Sequence, residues 1–364
     1  LNQLLDYHLG VLDTFTDTKS NEFEIRFKQK NRHPLSKLDY DNVIKKLKSL
    51  HFTMISSSGE NILKIQNEFI DKKTQKAKIS NIKTIINGIS NIQTYCRENN
   101  ITNIENEFMS KNIVKRAEDN KIISFIDNDD YNFRIAYQEE NIINKQTNII
   151  KNIISNWEGS KKIFRYMNRI SFIKEDYPFR IDLSIVKTNN INPKTKNMIP
   201  HYTIKDSGVF DTEPFYEIEI ELLNEKLIDT YGAVEKYEKD LKYFIKIILS
   251  GLQESNFPIS NTESYDVLSN YISLFNPKNK TNISSRDFIG PSSYTLQLNN
   301  IIKNDIDSNI PNINTDYCVT EKADGLRKLL YINSDGRLYL IDTNMKVQFT
   351  GCTLTNKDTY KNTL

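Results

Sequence analysis

The segment YEIEIELL at 216–223 puts Glu217, Glu219 and Glu221 on one face of a strand and Ile218, Ile220 and Leu222 on the other. Like charges two residues apart on a strand face repel, so an unrelieved row of glutamates is costly. In an open, half-buried sheet that face would simply meet water. The rest of the chain argues for something more closed. Near the start, NEFEIRFKQK repeats the alternation, with Glu22 and Glu24 on one face and Arg26 beside them. Between the acidic segments, Arg134 lies in NFRIAYQEE, Arg165 and Arg169 share a face of IFRYMNRISF, and Arg180 and Asp182 share a face of FRIDLS. Acidic strands at both ends of the set, with basic strands between, suit a closed barrel with a charged interior. A divalent cation held by oxygens relieves the repulsion among carboxylates. Facing arginines and lysines then hold an anion such as a polyphosphate.

The 364 residues suffice for two cores. A net charge of +2 means that any basic surface is local. Cys96, Cys318 and Cys352 are too few and too scattered for a disulfide frame or a zinc site, and read as reduced thiols of an intracellular protein. No apolar run approaches the roughly 20 residues of a membrane span, so no membrane partner is expected. The sequence opens on Leu1 without a signal peptide and stops at Leu364, which suggests a fragment of a longer polypeptide. Abundant Asn, Ile and Lys read as the codon bias of an AT-rich genome.

The pattern predicts a short amphipathic helix over 1–19 and a helix in DYDNVIKKLKSLHF capped by Asp39. Strands are predicted at NILKIQNEFI, AKISNIKTII, NFRIAYQEE, KKIFRYMNRISFIK, FRIDLSIVK and YEIEIELL. A long helix over 231–251 would end at Gly251. Residues 252–285, richer in Ser, Asn and Pro, mark a boundary between domains at 1–252 and 253–364. Beyond it, YCVTEKADGLRKLLYI and GRLYLIDTNMKVQF are strand-like and joined through SDG, a hairpin signal.

EFEIR and YEIEIEL, at opposite ends of a strand-rich domain, resemble the two glutamate motifs of the triphosphate tunnel metalloenzymes. The similarity is to the metal-dependent RNA 5′-triphosphatases of fungal and viral capping systems. RISF at 169–172 and RIDLS at 180–184 also resemble strands of that family. The resemblance covers roughly residues 15–235 and implies an α+β chain built on an eight-stranded antiparallel β-barrel with flanking helices. It implies Glu22, Glu24 and Glu221 as ligands of Mg²⁺ or Mn²⁺, with Glu217 a further metal-site residue that, like Glu219, orients metal-bound or attacking water. Arg134, Arg165, Arg169 and Arg180 would clamp phosphates, helped by Arg26, and Asp182 would position one of these arginines. Met167, between Arg165 and Arg169, stands where another basic residue is expected. Lys83, Lys111, Lys115 and Lys187 are candidates to complete the count.

KADGLR, placed between strand-like flanks and followed by LYLID, resembles the nucleotide-attachment motif of capping guanylyltransferases and polynucleotide ligases. FIGPSSYTLQL at 288–298 is similar to the segment before that motif in viral capping enzymes. The resemblance implies Lys322 as the nucleophile on the α-phosphate of GTP, which requires a free amine. Arg327 would hold ribose or phosphate, Asp324 and Gly325 would shape the turn, and Asp342 would support the nucleotide site. Residues 253–364 would then be the first part of a guanylyltransferase. The order of the two activities resembles the large capping enzymes of poxviruses and giant DNA viruses, which also carry a methyltransferase. It implies 5′-triphosphate RNA and GTP as substrates, a methyltransferase domain or subunit as partner, and a location in the host cytoplasm (a viral factory) or the virion. The rival readings are a tunnel enzyme acting on inorganic polyphosphate or a nucleoside triphosphate, and a non-catalytic scaffold barrel.

Overall fold

The computed structural model describes residues 21–28, 34–114, 125–224, 234–275, 283–290, 295–302, 312–314, 317–321, 324–355 and 360. The helix expected over 1–19, Lys115 and Lys322 lie outside them. The chain forms two compact units, residues 1–256 and 257–364.

In the first unit, β1 (Asn21–Phe27) precedes helix α1 (Lys37–Ser49), then β2 (Thr53–Met54), β3 (Glu60–Ile70), β4 (Ala77–Ile79) and β5 (Ile82–Asn87). Helix α2 (Ile89–Glu98), β6 (Glu107–Ile113), β7 (Ile126–Asn128), β8 (Phe133–Ile142) and α3 (Asn148–Ser155) follow. The unit ends with β9 (Lys162–Ile173), β10 (Phe179–Thr188), β11 (Phe215–Leu222) and α4 (Val234–Gln253). Eight strands pair antiparallel in the order β1, β8, β6, β5, β3, β9, β10, β11, and β11 returns to β1. The sheet is therefore a closed barrel, in which β2, β4 and β7 are short additions to β9, β3 and β8.

Period-two alternation decides which face turns inward. Phe23, Ile25, Ile181, Leu183, Ile218 and Ile220 lie on the outside, buried under Val43 and Leu47 of α1 and Leu241, Phe244 and Ile248 of α4. Leu63, Ile65, Ile82 and Phe164 do the same elsewhere on the wall, under Ile92 and Tyr95 of α2, Ile150 of α3 and Trp157. The apolar faces are thus spent on a helix-covered outer core, and the charged faces have only the interior left.

Two local expectations change. The cap of α1 is Ser36, whose hydroxyl accepts from Asp39 N–H, while the Asp39 carboxylate accepts from Ser36 N–H at 2.8 Å. Asp39 is the third helical residue of a capping box, not the cap. Gly251 lies inside α4 rather than ending it. A Cβ there would come within 2.9 Å of both Cα and Cγ2 of Val43, so this glycine permits close approach of α4 to α1.

The second unit contains α5 (Asn261–Ser273) and an antiparallel sheet of β12 (Lys328–Ile332), β13 (Arg337–Asp342) and β14 (Val347–Thr353). Val267, Tyr271, Tyr331, Tyr339, Ile341 and Val347 form its core. The SDG segment makes the β12–β13 hairpin, with Gly336 at φ +79°. YCVTE forms no strand: residues 317–321 are exposed and irregular, with Val319 fully in solvent.

Candidate functional site

The ladder aligns the predicted residues in rows across the barrel wall. Arg134, Arg26, Glu219, Asp182 and Ser171 are successive partners across β8, β1, β11, β10 and β9. The adjacent row reads Ala136, Glu24, Glu221 and Arg180. Glu217, Ser184, Arg169 and Glu60 make a third. β1, β10 and β11 thus form an acidic wall threaded with arginines.

Asp182 organises the network. It is almost fully buried, accepts from Ser171 Oγ at 2.7 Å and from Arg180 Nε at 2.9 Å, and pairs with Arg169 Nη1 at 3.1 Å. Arg180 also reaches Glu221 at 2.5 Å, Arg26 bridges Glu219 at 2.5 Å and Glu24 at 3.3 Å, and Arg165 pairs with Glu217. Burial pushes the Glu24 carboxyl up to about 7, reinforced by Glu219 and Glu22. Burial likewise pushes Glu221 up to about 7, with Arg180 opposing and Asp182 and Glu22 adding. Burial acts on Glu219 in the same direction, but Arg26 and Arg169 outweigh it and hold this carboxyl below its usual range. The wall therefore keeps Glu219 ionised and disfavours the ionised forms of Glu24 and Glu221.

The opposite wall is basic. Lys111 on β6 pairs with Glu22, with Glu140 at 3.3 Å and with Glu24 at 3.7 Å. Lys64 on β3 and Lys83 on β5 face inward, and among the described residues neither has an ion-pair partner. Burial lowers Lys64 to about 8, with the charges of Arg169 and Lys83 adding; Lys83 is lowered by burial and by Lys111. Unpaired, partly desolvated cations facing into a cavity form an anion site. Lys64 escaped the sequence reading, although its place between Leu63 and Ile65 on a period-two strand signalled it.

Other expectations separate. Lys187 is on the outer face, opposite Tyr166 of β9, and donates to the Phe210 carbonyl at 2.6 Å. It does not join the interior, because it is an odd number of residues from Asp182. Arg134 faces inward at one mouth, where Asp127 holds its guanidinium in a two-pronged contact at 2.7 Å. Met167 belongs to a row of apolar side chains, Ile62, Met167, Val186 and Phe215, crossing four strands between Arg169 and Arg165. The break in the basic pattern is this apolar belt. In the second unit, Arg327 is exposed with its guanidinium 5.3 Å from the Phe288 ring. Asp342 is opposite Lys328 and accepts backbone N–H bonds from Asn344 and Lys346, closing the turn into β14.

The donor set fits a divalent cation in chemistry and register. Glu24 and Glu221 are direct partners on β1 and β11, Glu22 is two residues along on the same face, and all offer hard oxygen ligands. Among the described residues, no three acidic, His or Cys side chains already converge as a metal site. Lys111 and Arg180 hold Glu22 and Glu221, so a cation would take over charge that these two now neutralise.

No known family profile matches the chain. A probable mRNA-capping enzyme of Acanthamoeba polyphaga mimivirus is 32% identical over 191 residues, which is 52% of this chain and 13% of that protein. Over that stretch the chain is similar to a viral mRNA-capping enzyme. It spans about 13% of the length of that relative. Among solved structures, the mimivirus capping enzyme triphosphatase superimposes with a TM-score of 0.41 at 17% identity, covering 68% of this chain and 97% of the other. The RNA triphosphatase Pct1 of S. pombe gives 0.34 at 10% identity, covering 69% and 88%. Closure of the barrel rests on the strand register itself and not on these likenesses. No described helix is long and apolar enough to cross a membrane.

Proposed function

We propose that the barrel removes the γ-phosphate of 5′-triphosphate RNA, the first chemical step of mRNA capping: pppRNA + H₂O → ppRNA + Pi. The observation that carries this reading is the acidic wall of β1 and β11 facing Lys64, Lys83 and Lys111 across one interior. The similarity over 191 residues to a viral capping enzyme supports the RNA substrate.

Glu22, Glu24 and Glu221 would hold Mg²⁺ or Mn²⁺, which when bound supplies charge neutralisation at the phosphoryl oxygens. Arg26, Arg165, Arg169 and Arg180 surround the same space and are anchored by carboxylates, so they meet the polyphosphate without reorganising. Glu219, held ionised by Arg26 and Arg169, orients the attacking water, and Glu217 assists. Positioning and electrostatics of this kind carry most of phosphoryl transfer.

In the same reading, residues 257–364 contribute to a guanylyltransferase in which Lys322 takes GMP from GTP. A methyltransferase follows as partner, and the site of action is the host cytoplasm or the virion. Two measurements test the proposal. Phosphate release from 5′-triphosphate RNA should require Mg²⁺ or Mn²⁺ and disappear in EDTA; no release under any metal leaves a scaffold. Hydrolysis of inorganic polyphosphate or free nucleoside triphosphate but not of triphosphate RNA would replace the capping reading. α-Labelled GTP should label the full-length protein covalently, and Lys322→Ala should erase the label.

A further inference from the structure

At one side of the barrel, β6 ends at Ile113, opposite Gln138, and β7 resumes pairing with the same strand at Ile126, opposite Ile135. A cavity of about 610 Å³ opens at this junction. Its lining includes Arg26, Lys83 and Lys111 together with Glu24, so it meets the interior charge network described above, Lys83 of the anion site included. Its outer part is of different chemistry: Phe125 and Ile113 are apolar and exposed, and Asn81 and Gln138 bring side-chain amides. The Phe125 ring is 52% exposed, yet the Arg134 guanidinium stacks 3.6 Å from its centroid. Asp127 fixes that guanidinium with two contacts of 2.7 Å, so the ring rests on a rigid plane.

We propose that this outer compartment seats the first nucleoside of the triphosphate substrate, with its base stacked on Phe125; the proposal rests on the triphosphatase reading. A ligand that suits cations at one end and a held aromatic ring with neighbouring amides at the other is a nucleotide. Every base offers a π-face to such a ring, and so the stack is tolerant of sequence, while Asn81 and Gln138 can pair with a base edge. Inorganic polyphosphate has nothing to place there. Phe125 is thus a specificity residue for RNA ends over bare polyphosphate.

The test compares a short 5′-triphosphate oligoribonucleotide with inorganic tripolyphosphate in Mn²⁺, using the wild type, Phe125→Ala and Phe125→Trp. The ratio of kcat/KM for RNA to kcat/KM for tripolyphosphate should fall in Phe125→Ala by roughly 5- to 150-fold, the range of one lost base–aromatic stack. The fall should come through KM, and Phe125→Trp should restore the ratio. An unchanged ratio in Phe125→Ala, or an equal loss on both substrates, overturns the nucleoside site and leaves the hydrolase reading standing. A wild type that hydrolyses neither substrate overturns both.

Discussion

Glu24 on β1 and Glu221 on β11 are direct partners across the barrel wall, and both carboxyls are pushed up to about 7, by burial first and by neighbouring carboxylates after it. An acid raised above its ordinary range is one whose ionised form the fold disfavours. At pH 8 without metal, Glu24→Gln should therefore raise Tm, while phosphate release falls at least about a hundredfold, as for loss of a central electrostatic group. Mn²⁺ should stabilise the wild type and have little effect on the variant. Thermal melts with EDTA and with Mn²⁺ read the first part; a metal-free variant less stable than the wild type would mean that Glu24 serves chiefly its pairs with Arg26 and Lys111.

Asp182 should be as costly to change as any group in the interior. Ser171, Arg169 and Arg180 all converge on it, and it is almost fully buried. Asp182→Ala strands two guanidinium groups, and breaking a buried pair costs roughly 3–5 kcal/mol. Denaturant titration should show that loss together with failure of triphosphate hydrolysis. A stable but inactive Asp182→Ala would show that the arginines find other partners.

Gly251 tests the outer core apart from the chemistry. A methyl group there meets Val43 backbone and side chain at 2.9 Å, so Gly251→Ala should destabilise by roughly 1–3 kcal/mol through overpacking between α4 and α1. Native protein that remains should keep its KM. An unchanged midpoint would mean that the helices part without cost.

Much of this was legible in the sequence because strand alternation is an unambiguous code. FRIDLS and YEIEIEL tell inward from outward by parity alone, which is why Arg180, Asp182 and the β11 glutamates landed together. The same parity excluded Lys187, had it been counted from Asp182. Closure was less legible, since Ile62–Met167 and Glu60–Arg169 join strands about 100 residues apart and no local signal specifies that register. AKISNIKTII hid a turn that separates β4 from β5, and the helices at 89–98 and 148–155 were not anticipated, because their β-branched isoleucines weaken the helical signal. That Lys64 has no ion-pair partner among the described residues belongs to the assembled interior, not to its segment.

Lys64 gives the sharpest test of the basic wall. Its pKa is lowered from 10.5 to about 8, mainly by burial and then by Arg169 and Lys83. Between about 8 and 10.5 the unfolded chain binds the proton more tightly than the native barrel, so this lysine's contribution makes stability rise with pH across that window. Its charge, however, is what an anion needs, and that charge fades as pH passes upward through about 8. Lys64→Met keeps the stem and removes the charge. It should raise Tm at pH 7 by roughly 2–4 °C, the shift that accompanies about 1 kcal/mol in a domain of this size. At the same pH it should raise KM for triphosphate substrates about tenfold, and it should flatten the alkaline rise of KM expected of the wild type above pH 8. A variant that is less stable and binds substrate normally would place the Lys64 ammonium in a structural pair rather than facing the phosphate.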